Sequence, residues 1–243
     1  MPTLTADAPT TLPPLADAAE GVSALRPRTA GELAAALCVS PDRVRLDPPP
    51  GTATADDAVR LSERGEGLFE LVDGTLVEKD MGWTEEFLSN RLGSLFDQSV
   101  RERNQPVMVV GSSAGARAGR RRVQVRMPDV GAFLIANFPP GTNFANVKVA
   151  DHPADLAVEV VSEGNTPEEM ARKRREYFEA GTSIVWIADH RKRTVEVWTG
   201  PKSMSLLSDG DVLDGGGVLP GFQLPVAEWF DSVPKPDAEG GAA

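Results

Sequence analysis

The stretch DLAVEVVSEGNTPEEMARKRREYFEAGTSIVWIAD, residues 155–189, decides the fold class. Asp155–Ser162 is a strand apolar enough to lie centrally in a sheet. Thr166-Pro-Glu-Glu169 has the pattern of a capping box with proline at the first helical position. It opens a helix that runs to Ala180 and that Gly181 stops. Ile184–Ala188 follows as a second apolar strand, and a basic turn leads to a third over Thr194–Trp198. Upstream, Leu68-Phe-Glu-Leu-Val72 and Thr75-Leu-Val-Glu78 flank Asp73-Gly74. That is a strong hairpin signal, because the two-residue turn needs positive φ. Phe87, Leu88, Leu92, Leu95, Phe96 and Val100 recur at steps of three and four, which predicts an amphipathic helix over 84–103. Pro106–Gly111 and Val123–Leu134 read as strands separated by a Gly/Ala/Arg-rich connection. The sum is an α/β (α+β) fold, a mixed β-sheet flanked by helices with an N-terminal hairpin.

The flanks are read more coarsely. Residues 1–22, rich in Pro, Thr, Ala and Asp, are expected to be a disordered leader, and 233–243 a disordered tail. Between 23 and 51 lies a short helical extension, capped at Thr29 with Glu32 reaching back. The main domain spans 52–200, with a short helix at its start over Ala55–Arg64. A C-terminal extension over 201–232 is Gly/Asp-rich and carries one short segment, Val226–Phe230.

The chain has 243 residues and a net charge of −11. Its single cysteine, Cys38, excludes a disulfide framework and a multi-cysteine zinc site. His152 and His190 leave little for a histidine-built one. No apolar run approaches 18 residues and no signal-like segment opens the chain, so a cytoplasmic protein without a membrane span is expected. The acidic balance argues against a general nucleic-acid binder.

Three carboxylates stand where the pattern argues against them. Glu159 sits inside the apolar strand 155–162, sharing a face with Asp155, Ala157 and Val161. Asp129 lies in Arg126-Met-Pro-Asp129-Val-Gly-Ala-Phe133, where the strand is expected to continue past Pro128. Glu70 lies between Phe69 and Leu71 in the hairpin. Ionised carboxylates in half-buried strands need compensation, and several converging from neighbouring strands make a hard-oxygen site suited to Mg²⁺ or Mn²⁺. Strand-end solvation or pairing with arginine is the plainer alternative. On the helix 167–180, both Lys173 and Arg174 fall on the apolar side, and spacing favours neither as the cation reaching that cluster.

These residues carry a resemblance. Phe69-Glu-Leu-Val-Asp-Gly-Thr-Leu-Val77, Arg126-Met-Pro-Asp-Val130, Asp155–Ser162, Lys173 with Tyr177 and Ala180-Gly181, and Trp186-Ile-Ala-Asp189 stand in one order. Over residues 52–200 the chain resembles the Uma2-like restriction endonucleases, a branch of the PD-(D/E)XK nuclease superfamily. The resemblance implies a divalent metal on Asp129 and Glu159, with Glu70 as a further ligand. The superfamily's lysine position, two residues after the glutamate, is Val161 here. The Uma2-like branch supplies its lysine from the following helix, which implies Lys173 as the catalytic cation. The implied reaction is metal-dependent hydrolysis of phosphodiester bonds in DNA by an endonuclease, with Mg²⁺ (or Mn²⁺) as cofactor. The chain departs from the family in lacking the histidine near residues 82–86, in Ser162-Glu163 for Ser-Pro, and in Gly181-Thr182 for Gly-Val.

For substrate contact the candidates are Arg117, Arg120, Arg121, Arg122, Arg126 and Arg174, with solvated surface as the plainer alternative. Trp83 offers a ring that could stack on a base, but hydrophobic packing is its expected role. The substrate class, duplex, branched or single-stranded DNA or RNA, is left open, and a homodimer is an expectation because restriction-type enzymes often pair two sites. Two other function classes stand beside this one. A catalytically silent nucleic-acid-binding or interaction module could use the same fold, and a glycosidase could use Glu159 and Asp129. The basic runs and the shortage of aromatics weigh against the glycosidase. Charge partition revises the first inference from composition. Residues 1–66 carry ten acids against six bases, and 208–243 carry seven against one, leaving 67–207 near neutral at −1.

Overall fold

The computed structural model describes residues 27–119 and 124–234. In chain order the elements are α1 (Ala30–Leu37), α2 (Ala55–Glu63), the hairpin β1 (Phe69–Val72) and β2 (Thr75–Glu78), and α3 (Trp83–Glu102). Then come β3 (Val107–Gly111), β4 (Gly115–Ala118), β5 (Gln124–Arg126), β6 (Val130–Leu134), β7 (Val149–Ala150) and β8 (Leu156–Val160). The chain continues through α4 (Pro167–Ala180), β9 (Ile184–Asp189), β10 (Thr194–Gly200), β11 (Ser203–Ser208), β12 (Val212–Asp214), β13 (Gln223–Pro225) and α5 (Val226–Asp231). The expected α/β fold with mixed sheets and flanking helices is what the chain forms. Among the described residues no helix is long and apolar enough to cross a membrane.

Two sheets carry the architecture. A six-stranded sheet runs β11-β10-β9-β8-β6-β3, and a five-stranded one runs β2-β1-β5-β4-β7. Within the first, β8 and β9 are parallel neighbours with α4 as their crossover, while the other pairings are antiparallel. The alternation along β8 places Leu156, Val158 and Val160 against Leu88, Leu92 and Phe96 of α3 and Trp186 of β9. Ala157, on the opposite face, packs with Met170 and Tyr177 of α4. The hairpin turn has φ of 49° at Asp73 and 70° at Gly74, as an Asp-Gly two-residue turn requires.

Three local expectations are corrected. Val123–Leu134 is not one strand: Pro128 has no N–H to give a ladder, and the chain leaves β5 in one sheet to enter β6 in the other. The Gly/Ala/Arg-rich connection holds a strand, β4, paired with both β5 and β7. Beyond residue 200, β11 pairs along β10, and the turn region after it delivers Leu213, Leu219, Phe222 and Trp229 to the main core. The Trp229 indole N–H donates to Leu88 O at 3.0 Å, tying α5 to α3.

The N-terminal segment is built into the same body. Arg45 N donates to Leu76 O at 2.9 Å, and Val44 bridges Val77, so the segment lies along the free edge of β2. Arg43 grips Glu169 of α4 with both terminal nitrogens, at 2.8 and 2.9 Å, and its Nε donates to Glu78 O at 2.8 Å. The expected capping box at Thr166 is therefore half made. The Thr166 hydroxyl accepts Glu169 N at 3.1 Å, but the Glu169 carboxylate turns to Arg43. Replacing Arg43 by alanine leaves the wholly buried Glu169 without its cation. It should lower the unfolding free energy by about 1.5–3 kcal/mol, read from the urea midpoint. A change below about 0.5 kcal/mol, the size of an ordinary surface substitution, would exclude a clamping role.

Candidate active site

The site forms where the two sheets meet, because the chain crosses from one to the other at Met127-Pro128-Asp129. Asp129 N donates to Val158 O at 2.8 Å, and its Oδ2 accepts Val160 N at 2.6 Å. Backbone and side chain of Asp129 thus bracket Glu159 on β8, which sets the two carboxylates side by side. Glu159 points toward α4, where its Oε1 accepts the Tyr177 hydroxyl at 2.6 Å and its Oε2 lies 3.0 Å from Lys173 Nζ. Lys173 Nζ also lies 3.2 Å from Glu70 Oε1, so one ammonium joins the hairpin to the central strand.

The charges continue in alternation. Glu70 Oε2 accepts Arg126 Nη1 at 2.8 Å, and Glu70 Oε1 accepts Met127 N at 3.0 Å. The Arg126 Nε donates to Glu176 Oε2 at 2.7 Å. Glu176 Oε1 accepts Arg172 Nε at 2.7 Å, and Arg172 reaches Asp73 of the hairpin turn at 2.7 Å. Helix α4 therefore buries a charged stripe, Glu169, Arg172, Lys173 and Glu176, among its core-facing residues. Such groups are tolerated inside only when paired and hydrogen-bonded, and here each has an opposite charge within contact. On the far side of Asp129, Lys79 Nζ lies 2.6 Å from Oδ1 and donates to Met127 O.

These surroundings pull the carboxyls apart in proton affinity. Burial alone would raise Glu70, but Lys173, Arg126 and Lys79 outweigh it and hold the carboxyl well below its ordinary value. Burial raises Glu159 as well. There the nearby charges of Asp129 and Glu70 add to it, and Lys173 does not offset the sum. Lys173 is raised despite its burial because Glu159, Glu70 and Glu169 all face it. Tyr177 is pushed up by burial and by Glu159, so it stays a neutral donor.

Of the residues singled out in the sequence, Glu70, Glu159 and Lys173 are in direct contact, and Asp129 is held on the backbone flanking Glu159. Arg126 is corrected. It is 1% exposed and locked between Glu70 and Glu176, so it cannot reach a phosphate. Arg174 stacks on Trp198 with its guanidinium carbon 3.5 Å from the ring centroid, rather than reaching the carboxylates. Arg117 lies half-buried on β4, and Arg120, Arg121 and Arg122 lie outside the described residues. Trp83, at the first turn of α3, is 92% exposed. Sequence reading missed Lys79. It was findable: Glu78 faces solvent, so the next residue along the strand turns inward with Val77, on the face that carries Glu70.

The donor chemistry of Asp129 and Glu159, carboxylate oxygens with lone pairs to spare, fits a hard divalent ion. Glu70 fits less well, since Arg126, Lys173 and Met127 N make three contacts to its two oxygens, against two each for Asp129 and Glu159. Among the described residues no three acids, histidines or cysteines are grouped to hold an ion as they stand.

Comparison with known proteins shows the family and the fold. Residues 55–227 match the family model Uma2, described as a putative restriction endonuclease. Among solved structures, the chain is similar to one described as a putative nuclease belonging to DUF820 from Anabaena variabilis. The two are 15% identical with a TM-score of 0.61, over 68% of this chain and 91% of that one, a likeness that shows the fold. No curated protein matches the chain.

Proposed function

The chain belongs to the Uma2 family of restriction-endonuclease-like proteins, and from that membership we propose that it is a metal-dependent endonuclease hydrolysing phosphodiester bonds in DNA. The observation that carries the reading is the bracket of Asp129 around Glu159, with Lys173 and Tyr177 fixing the glutamate. Asp129 and Glu159 would hold the ion, Mg²⁺ or Mn²⁺. Such an ion lowers the pKa of a water and offsets negative charge on the scissile phosphate. Tyr177 and Lys173 hold one Glu159 oxygen each, which fixes the rotamer of the carboxylate. Lys173 is also the ammonium placed to compensate charge developing beside Glu159. Glu70 acts in this proposal as a positioning residue that keeps Lys173 and Arg126 in place.

Substrate contact is proposed at Arg117, on β4, the strand paired with β5, and at Arg120, Arg121 and Arg122, which lie outside the described residues. The test is cleavage of plasmid DNA by the purified full chain with Mg²⁺ or Mn²⁺, alongside Asp129→Ala and Lys173→Ala. Each variant should lose on the order of 10²–10³ in rate, the usual effect of removing a preorganised charge-stabilising group. Equal cleavage by both variants and the parent would rule out this site.

One observation favours a second reading, a catalytically silent nucleic-acid-binding or interaction module. Both candidate metal carboxylates are already engaged by lysines, and no three-ligand group stands ready among the described residues. Calorimetry with Mg²⁺ and Mn²⁺ separates the two readings, because the silent module takes up neither ion.

A further inference from the structure

We propose that Lys79 is an internal cation that competes with the divalent ion for Asp129. This rests on the proposed two-carboxylate site and concerns how that site is loaded. Asp129 has one oxygen committed to Val160 N, and the other, Oδ1, faces Lys79 Nζ at 2.6 Å. The Lys79 side chain is 2% exposed. Its backbone N–H donates to Leu68 O at 2.8 Å, which fixes where the side chain starts, and its ammonium donates to Met127 O.

Charge makes the competition necessary. Glu70, Asp129 and Glu159 are matched by Lys79, Arg126 and Lys173, and all six residues are at most 9% exposed. Adding two positive charges to a balanced, buried cluster is costly unless a cation leaves. Arg126 and Lys173 each contact two carboxylates and tie separate elements together. Among the described residues Lys79 has a single carboxylate partner in contact, and lysine is a point charge on a flexible stem rather than a rigid fork. It is therefore the cation that gives way.

The prediction has a sign that an ordinary supporting lysine would not give: removing Lys79 tightens metal binding. Mn²⁺ is titrated into the metal-stripped full chain and followed by calorimetry and by the paramagnetic resonance of free Mn²⁺. Lys79→Met should bind at least about tenfold more tightly than the parent, Lys79→Arg should bind no more tightly than the parent, and Asp129→Asn should abolish binding. Lys79→Met leaves Asp129 buried without a cation, so its fold is checked by near-ultraviolet circular dichroism. Lys79→Gln, which keeps an N–H donor at that position, gives the same measurement if the methionine variant does not fold. If the parent binds Mn²⁺ and neither neutral variant binds more tightly, this inference falls and the metal site stands. If neither the parent nor a neutral variant binds Mn²⁺, the inference and the proposed metal site fall together.

Discussion

Arg126→Met should destabilise the protein by roughly 3–5 kcal/mol, the loss typical of removing one partner of a buried ion pair. The reason is what the substitution leaves behind. Glu70 is fully buried and Glu176 nearly so, and Arg126 is in contact with both, at 2.8 and 2.7 Å. Methionine fills much of the volume but supplies no charge, so two carboxylates remain in a low-dielectric interior. Lys173 still faces Glu70, and Arg172 still faces Glu176, which limits the damage without cancelling it. Against a total stability of about 5–15 kcal/mol for a domain, the loss is large enough to lower the melting temperature clearly. Because the pair is buried, added salt should change the difference little. Arg117→Met is the control, since Arg117 lies half-buried on the neighbouring strand and is expected to shift stability by about 0.5 kcal/mol or less. Urea midpoints that fall equally for the two variants would show that the Glu70–Arg126–Glu176 chain is not the support described.

Arg126 also shows where reading the sequence reaches its limit. It belongs to a run of arginines without an acid, and a run of that kind reads as a phosphate-binding surface. Strand direction decides otherwise: β5 points Arg126 inward, and its partners lie 56 and 50 residues away. Local signals were legible when their cause was local. Asp73-Gly74 announces its turn because only such residues accept positive φ at that point, and Glu159 stands out because it interrupts an apolar strand. Thr166-Pro167 and Gly181 bound α4 for the same kind of reason. The switch of sheets at Pro128 was not legible, because one apolar run serves equally as a single strand or as two. The strand β11, with most of its residues exposed, had no apolar alternation to reveal it. The grip of Arg43 on Glu169 spans 126 residues and leaves no trace in spacing. Composition misled in the same way, since an overall −11 concealed a nearly neutral core of the chain.

Glu70→Gln and Glu159→Gln should move stability in opposite directions, although the two carboxylates share one lysine. For Glu70, opposite charges outweigh burial and the folded state holds the carboxyl below its ordinary 4.5. A group with a lowered folded value contributes stability that is whole above the unfolded value and is lost as pH falls below it. At pH 7, Glu70→Gln should therefore cost roughly 3–5 kcal/mol, and the difference from the parent should narrow below about pH 4.5. For Glu159 the balance reverses. Burial, with Asp129 and Glu70 beside it, raises the carboxyl despite Lys173, so ionised Glu159 opposes folding at neutral pH. Its favourable contribution exists only at low pH and is lost as pH rises through the raised value. Glutamine removes that penalty, and Glu159→Gln should melt higher than the parent at pH 7, with the gain shrinking toward pH 4.5. If Glu159 holds the proposed metal, the same variant should lose on the order of 10²–10³ in cleavage rate. A substitution that stabilises and inactivates is the signature of a carboxylate kept charged for a ligand rather than for the fold. Thermal melts across pH 4–8 decide it. If Glu159→Gln melts lower than the parent at pH 7, Glu159 is a structural partner of Lys173, and its place in the metal site loses this support.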